Sequence, residues 1–289
     1  MSGYWTGILA ILCFNIVVAY SVFLPAAAGQ LNLGAAGFVA IGAYTSGYLS
    51  TDVGLAMWLT IPLAALATGA VAFLISFPIL RTRGVYMVLA TLAFAEIVQG
   101  IYINLEIFGA AAGYPVVAFA ELDIIAPITF AVVLFVFFLM STRFGLSMRA
   151  VHDDERVASL FGVHTRMTQV AAFTLGGVLA GVGGAIWAHQ FNYVEIQHFN
   201  ILLSTFVLLY VLIGGTQTPF GPLVGAVFFT LLPEFLRVSH EWRFVIFGVI
   251  IVLMMVVRPE GLVTRTLTDR VYGLFRRSGG TPLAEGGKR

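Results

Sequence analysis

The sequence predicts an all-α integral membrane protein, a polytopic bundle of about eight to ten transmembrane helices. Three observations carry that prediction. Hydrophobic residues make up 60% of the chain and charged residues 10%, against roughly 25% charged in a typical soluble domain. The charges are also bunched: none precedes Asp52, none lies between Asp52 and Arg81, and none lies between Glu195 and Glu234. Runs of this kind suit a hydrocarbon core of about 30 Å, which a helix crosses with roughly 20 mostly apolar residues. The third observation concerns the backbone. In lipid every N–H and C=O must be satisfied within its own segment or in a closed barrel, and long, uniformly apolar runs satisfy them as helices.

Proline, glycine and charge punctuate the chain into about nine apolar segments. The first covers 5–24. With Ala26, Ala27 and Ala28 behind it, it has the outline of a secretion signal. No Lys or Arg precedes it, however, and it is long for a signal core, so it reads as a helix. Gln30 and Asn32, beside Gly29 and Gly34, then make a polar break. Such breaks are tolerated in a membrane only where protein or a water-filled cavity satisfies the backbone. The second segment, 34–50, follows, and then 55–77 and 85–103, the last two joined by a turn holding Arg81 and Arg83. Glu96 stands in the middle of 85–103, where a charge is costly unless paired or wetted. A hydrogen-bonded structural carboxylate and a group lining a pathway are both open readings.

Segment 124–141 leads into the longest polar stretch between spans, Thr142 to Gln169. Asp153 and Asp154 suit a helix N-terminus, and Gly162 suits its stop. Between them Val157, Leu160 and Phe161 share one face, which predicts a short amphipathic helix about 12 Å long. Its apolar face docks either into a partner's groove or back onto its own bundle. Segment 170–189 repeats small residues every fourth position at Gly177, Gly181 and Ala185, a spacing that lets helix backbones approach closely in lipid. Static packing is the expectation there, with sliding of the smooth faces as the alternative. Segments 201–214, 222–236 and 243–257 complete the series.

Orientation follows from Arg and Lys. Arg81 and Arg83, then Arg143, Arg149, Arg156 and Arg166, and the basic residues after 257 mark three regions as cytoplasmic, whereas 104–123 carries Glu106, Glu121 and Asp123 with no basic residue. The first two segments have no flanking charges that test their direction, so the position of the N-terminus stays open. A transmembrane domain over 1–262, with the polar loop 142–169 inside it, and a cytoplasmic tail over 263–289 is the expected division.

Little in the sequence points to catalysis. There is no G-x-S-x-G elbow, no H-E-x-x-H pair and no P-loop, so the chain does not itself bind ATP in that way. His189, Glu195 and His198 come nearest to a metal cluster, and interfacial hydrogen-bonding groups are the expected reading. The single Cys13 rules out a disulfide framework, and a net charge of +1 offers no basic field for nucleic acid. No cofactor or metal is expected.

Seven stretches in register carry a family resemblance. They are GQLNLGAAGFVAIGAY (Gly29 to Tyr44), RTRGVYMVLATLAFAEIV (Arg81 to Val98), RAVHDDERVASLFGV (Arg149 to Val163), AFTLGGVLAGVGGAIWAH (Ala172 to His189), LIGGTQTPFGPLVGA (Leu212 to Ala226), LPEFLR (Leu232 to Arg237) and RPEGL (Arg258 to Leu262). Together they resemble the membrane permease subunits of branched-chain amino acid ABC importers, the LivM type more than its LivH partner. The resemblance implies an importer permease fold in a bacterial-type inner membrane. It also implies a second, LivH-like permease subunit, two ATP-binding subunits and an extracytoplasmic substrate-binding protein. It makes Gln30, Asn32, Tyr44, Thr91 and Glu96 pathway candidates, and Arg149, Glu155, Arg156, Ala158, Phe161 and Gly162 candidates for coupling to the ATPase. Gln217 and Phe220 stand where the family commonly has glycine and tryptophan, and Glu260 stands for a usual basic residue, departures that bear on substrate more than on fold. Two rival readings remain at this point: a stand-alone secondary transporter with Glu96 as proton or ion relay, and an intramembrane enzyme using His189, Glu195 and His198.

Overall fold

The computed structural model describes residues 3–235, 248, 249, 252 and 261–263. The expected segment 243–257 and the tail therefore lie largely outside the described residues. Ten α-helices run through the described chain: α1 (Gly3–Ala27), α2 (Ala35–Thr51), α3 (Met57–Ile79), α4 (Val85–Asn104), α5 (Leu122–Ser141), α6 (Arg143–Asp153), α7 (Glu155–Leu160), α8 (Thr165–Phe191), α9 (Ile201–Gly214) and α10 (Phe220–Phe235). The first eight predicted segments each match one of these helices to within a few residues. Five helices, α1, α3, α4, α5 and α8, are long and apolar enough to cross a bilayer. The protein is a multi-pass, all-helical membrane protein.

The core is organised around α8, which packs against α1, α2 and α3. Its small residues are the reason. A Cβ placed on Gly42 would stand 2.5 Å from the Cα of Gly181, and one on Gly176 would stand 2.5 Å from the Ser21 carbonyl oxygen. Backbone therefore meets backbone along this seam, and dispersion contacts replace the hydrophobic driving force that lipid removes. No methyl-sized gap remains along this seam.

The two ends of the bundle differ in charge. At one end the α1–α2 break meets α6: the ring of His152 hydrogen-bonds the Ala26 carbonyl through Nδ1 at 3.0 Å. Arg81, Arg83, Arg143, Arg149, Arg156 and Arg166 flank the helix ends on this side. At the other end Thr51 donates to the Pro115 carbonyl at 3.3 Å, and the Tyr114 hydroxyl donates to the Asp52 carboxylate. Burial first, and then that carboxylate, raise the Tyr114 hydroxyl above the ordinary phenol range. A two-residue antiparallel ribbon, β1 (Tyr114–Pro115) with β2 (Tyr193–Val194), closes this acidic end. Because α1 reaches the basic end at Ala26 and α2 returns toward the acidic end at Thr51, the start of α1 at Gly3 lies toward the acidic end of the bundle.

Candidate functional site

The α1–α2 break is where polar groups enter the apolar bundle. Pro25 sits in the last turn of α1, and Gly29 takes a left-handed φ of +78°, turning the chain out of the helix. Three backbone amides at the start of α2, those of Leu33, Gly34 and Ala36, are then satisfied by side chains. Thr91 Oγ1 accepts from the Leu33 amide at 3.0 Å while donating to the Val88 carbonyl. Asn32 Oδ1 accepts from the Gly34 amide at 2.7 Å. Ser204 Oγ accepts from the Ala36 amide at 2.9 Å. These bonds take the place of water at the buried start of α2, which is why a broken helix survives there.

Gln30, Asn32 and Thr91 are all buried at this break, so three of the five pathway candidates come together. The other two do not. Tyr44 is fully buried at the opposite end of α2. Its ring stacks on Tyr102 with centroids 4.3 Å apart and meets Phe108 edge-on. This sealed aromatic cluster gives Tyr44 a packing place. Glu96 lies five residues beyond Thr91 on α4, about 140° around the helix. Thr91 faces the bundle and Glu96 faces outward, exposed, with no hydrogen-bond or ion-pair partner among the described residues. The polar stretch that reads as one patch in sequence is thus divided between two faces. Ser204, which completes the break, escapes sequence reading because one serine in an apolar run carries no pattern.

At the basic end the amphipathic segment is helical, as its spacing predicts. Asp154 caps α7, its Oδ1 accepting from the amides of Arg156 at 2.8 Å and Val157 at 3.0 Å. Gly162, at φ +81°, ends it. The helix proper has six residues, about 9 Å at 1.5 Å per residue, shorter than expected because Phe161 already leaves helical geometry. Before it runs α6, a helix that the polar composition of the loop conceals. Met148 and Val151 of α6 are buried, whereas Leu160 and Phe161 are 85% and 84% exposed and Val157 is also exposed. The candidate residues divide accordingly. Ala158 packs inward. Arg149 turns its guanidinium to the Met140 carbonyl at the end of α5, Glu155 pairs with Arg83 at 3.7 Å, and Arg156 is exposed. The apolar face of α7 therefore points away from its own bundle.

The histidine group does not assemble. His189 is fully buried. The Ala118 carbonyl can only accept, so Nδ1 carries the proton and donates at 3.0 Å. Nε2 is left to accept from Ser46 at 2.9 Å or Thr60 at 3.2 Å. Glu195 and His198 pair with each other at 3.6 Å. Among the described residues no group of three His, Cys, Asp or Glu side chains could hold a metal ion. His189 ties α2, α3 and α8 to the 105–121 loop, a structural task.

Comparison with known proteins agrees with this architecture. The family model described as branched-chain amino acid transport system / permease component matches residues 5–255. The chain is 31% identical to the high-affinity branched-chain amino acid transport system permease protein LivM of Escherichia coli (strain K12), over 88% of this chain and 67% of the relative. The LivM protein of Salmonella typhimurium matches to the same extent. The autoinducer 2 import system permease protein LsrC of Yersinia pseudotuberculosis serotype O:1b is 29% identical over 47% of this chain and 42% of its own length. No solved structure matches.

Proposed function

Since the chain belongs to the branched-chain amino acid transport permease family, we propose that it is the transmembrane permease subunit of an ATP-driven ABC importer for branched-chain or other small amino acids, forming half of the translocation pathway in a bacterial inner membrane. The observation that carries the reading is α7. A capped helix on the basic end holds Leu160 and Phe161 out into solvent, on a chain with no P-loop of its own. Apolar side chains held out on a short, rigid helix are the form of a peg for a partner's groove. That partner is one of two separate ATP-binding subunits.

Glu96 supports a second partner. An uncompensated carboxylate on the outer surface of a spanning helix costs about 2.5–3.5 kcal/mol against lipid. A related, LivH-like permease covers that face and shares with it a polar pathway. A stand-alone carrier using Glu96 as relay would need a wetted route inside the single chain, and the outward position of this carboxylate argues against it. The break at Gln30, Asn32 and Thr91 is the hinge by which closure of the ATPases reaches the pathway, and the acidic end receives the substrate-binding protein. Each partner drives the switch only by binding one access state more tightly than the other.

Uptake by the reconstituted assembly tests the reading. Transport is expected to stop on ATP depletion and to tolerate collapse of the proton gradient; the opposite pattern overturns it. Phe161→Asp is expected to lower substrate-stimulated ATP hydrolysis at least ten-fold, while thermal stability changes by no more than about 0.5 kcal/mol because the side chain is 84% exposed. Normal stimulation in that variant removes α7 from the coupling role.

A further inference from the structure

A cavity of about 440 Å³ opens at the basic end between the α3–α4 turn, the α1–α2 break, α7 and the start of α8. Its wall is rich in donors. Arg81, Arg83 and Arg166 bring three guanidinium groups against one carboxylate, Glu155. Glu155 reaches Arg83 at 3.7 Å, where Arg83 is 80% exposed, and an exposed pair at that distance neutralises little. Arg81 and Arg166 have neither an ion-pair nor a hydrogen-bond partner among the described residues. At the back of the cavity stands Gln30, 1% exposed, with neither Oε1 nor Nε2 bonded to any group of the protein. Buried side-chain amides are almost always satisfied, so this one calls for a ligand, and the excess of guanidinium groups around it calls for an anion with several acceptor oxygens.

The place narrows the chemistry. The cavity lies where α3 ends and α4 and α8 begin, the level of lipid headgroups beside a hydrocarbon core. Val85 and Tyr86, next to the Gly84 wall, are 71% and 76% exposed, and an exposed tyrosine at a helix end is a mark of the membrane interface. Leu74 and Phe77, in the last turns of α3, present exposed apolar surface, along which acyl chains can lie. We propose that this cavity binds the phosphate of an anionic phospholipid headgroup, with Arg81, Arg166 and Gln30 as its principal donors. Free phosphate shares the donor chemistry; the apolar walls beside the cavity favour the lipid. Because Gln30 belongs to the α1–α2 break and Glu155 to α7, the headgroup bridges the two elements. The inference requires the chain to sit in a bilayer and does not depend on what it transports.

The test uses the purified full-length chain in zwitterionic detergent, titrated with phosphatidylglycerol, phosphatidylcholine or inorganic phosphate, with bound molecules counted by native mass spectrometry. One phosphatidylglycerol is expected to bind in preference to phosphatidylcholine. Arg81→Gln and Arg166→Gln are each expected to weaken it about five-fold, the effect of one basic residue at an anionic surface. Gln30→Leu weakens it as well, whereas Arg143→Gln, on the same end but outside the cavity, leaves it unchanged. The two arginine variants lie on exposed positions and keep the fold, so their result stands if Gln30→Leu misfolds. Equal retention of the two lipids, or indifference to Arg81→Gln and Arg166→Gln, overturns the proposal. Binding of inorganic phosphate with the same variant sensitivity, and no phosphatidylglycerol, overturns the lipid as its source.

Discussion

Helices α4 and α5 are equally bare in the single chain, with the same 22% of their apolar windows buried, yet their uncovered faces are built for different surroundings. Each turns one stripe inward: Met87, Thr91, Ala95 and Val98 on α4, and Ile125, Thr129, Val132, Val136 and Met140 on α5. The outer face of α5 presents Phe130, Leu134, Phe135 and Phe138, large apolar groups suited to acyl chains. The outer face of α4 places Glu96 between Ala93 and Gly100, all three exposed. A carboxylate flanked by small residues is poor lipid surface and good helix–helix surface, because the small residues admit a second backbone that can satisfy the charge. Equal exposure therefore has two meanings, and the side chains, more than the area, tell them apart.

Exchanging the two characters is the strongest way to break this contrast. Leu134→Glu puts a charge on the lipid face of α5 and is expected to destabilise the chain in nanodiscs by about 3 kcal/mol, read as a lowered melting temperature whether or not partners are present. The reciprocal change, Glu96→Leu, is expected to stabilise the isolated chain by about 2 kcal/mol while abolishing its co-purification with a second permease. A lowered melting point for isolated Glu96→Leu would mean that the carboxylate is satisfied within the chain, and the contrast would fail. A finer distinction comes from Gly100→Leu. Nothing lies within 4 Å of a Cβ built at Gly100, so the isolated chain should melt within about 0.5 kcal/mol of the parent. Pairing should weaken about ten-fold, the cost of overpacking a close helix contact, as measured by dissociation of the permease pair on dilution.

The location of the helices was legible along the chain. Segment 85–103 became Val85–Asn104 and 201–214 became Ile201–Gly214, because the bilayer acts on each segment locally and asks the same apolar length of each. The short helix α7 was legible for a similar reason: Asp154 and Gly162 are local start and stop signals, and Val157, Leu160 and Phe161 repeat at helical spacing. Which side of a helix meets which neighbour was not legible. Uniformly apolar helices have no amphipathic stripe to read, so the sequence does not announce that Thr91 turns inward to hold the Leu33 amide while Glu96 turns outward. Nor does it announce that Tyr44 closes an aromatic cluster at the far end of α2, or that His189 is engaged by Ser46, Thr60 and Ala118.

The amino-acid order alone thus determined the fold class, the spans and the charge of their connecting loops, since hydropathy and charge act over one helix at a time. Tertiary packing decided the direction of the first two helices, the division of the polar stretch on α4 and the gathering of Arg81, Arg166 and Gln30 around one cavity. Those depend on contacts between residues far apart in the chain, where close backbone approach, as at Gly42 and Gly181, selects one arrangement from many that a bilayer would accept equally well.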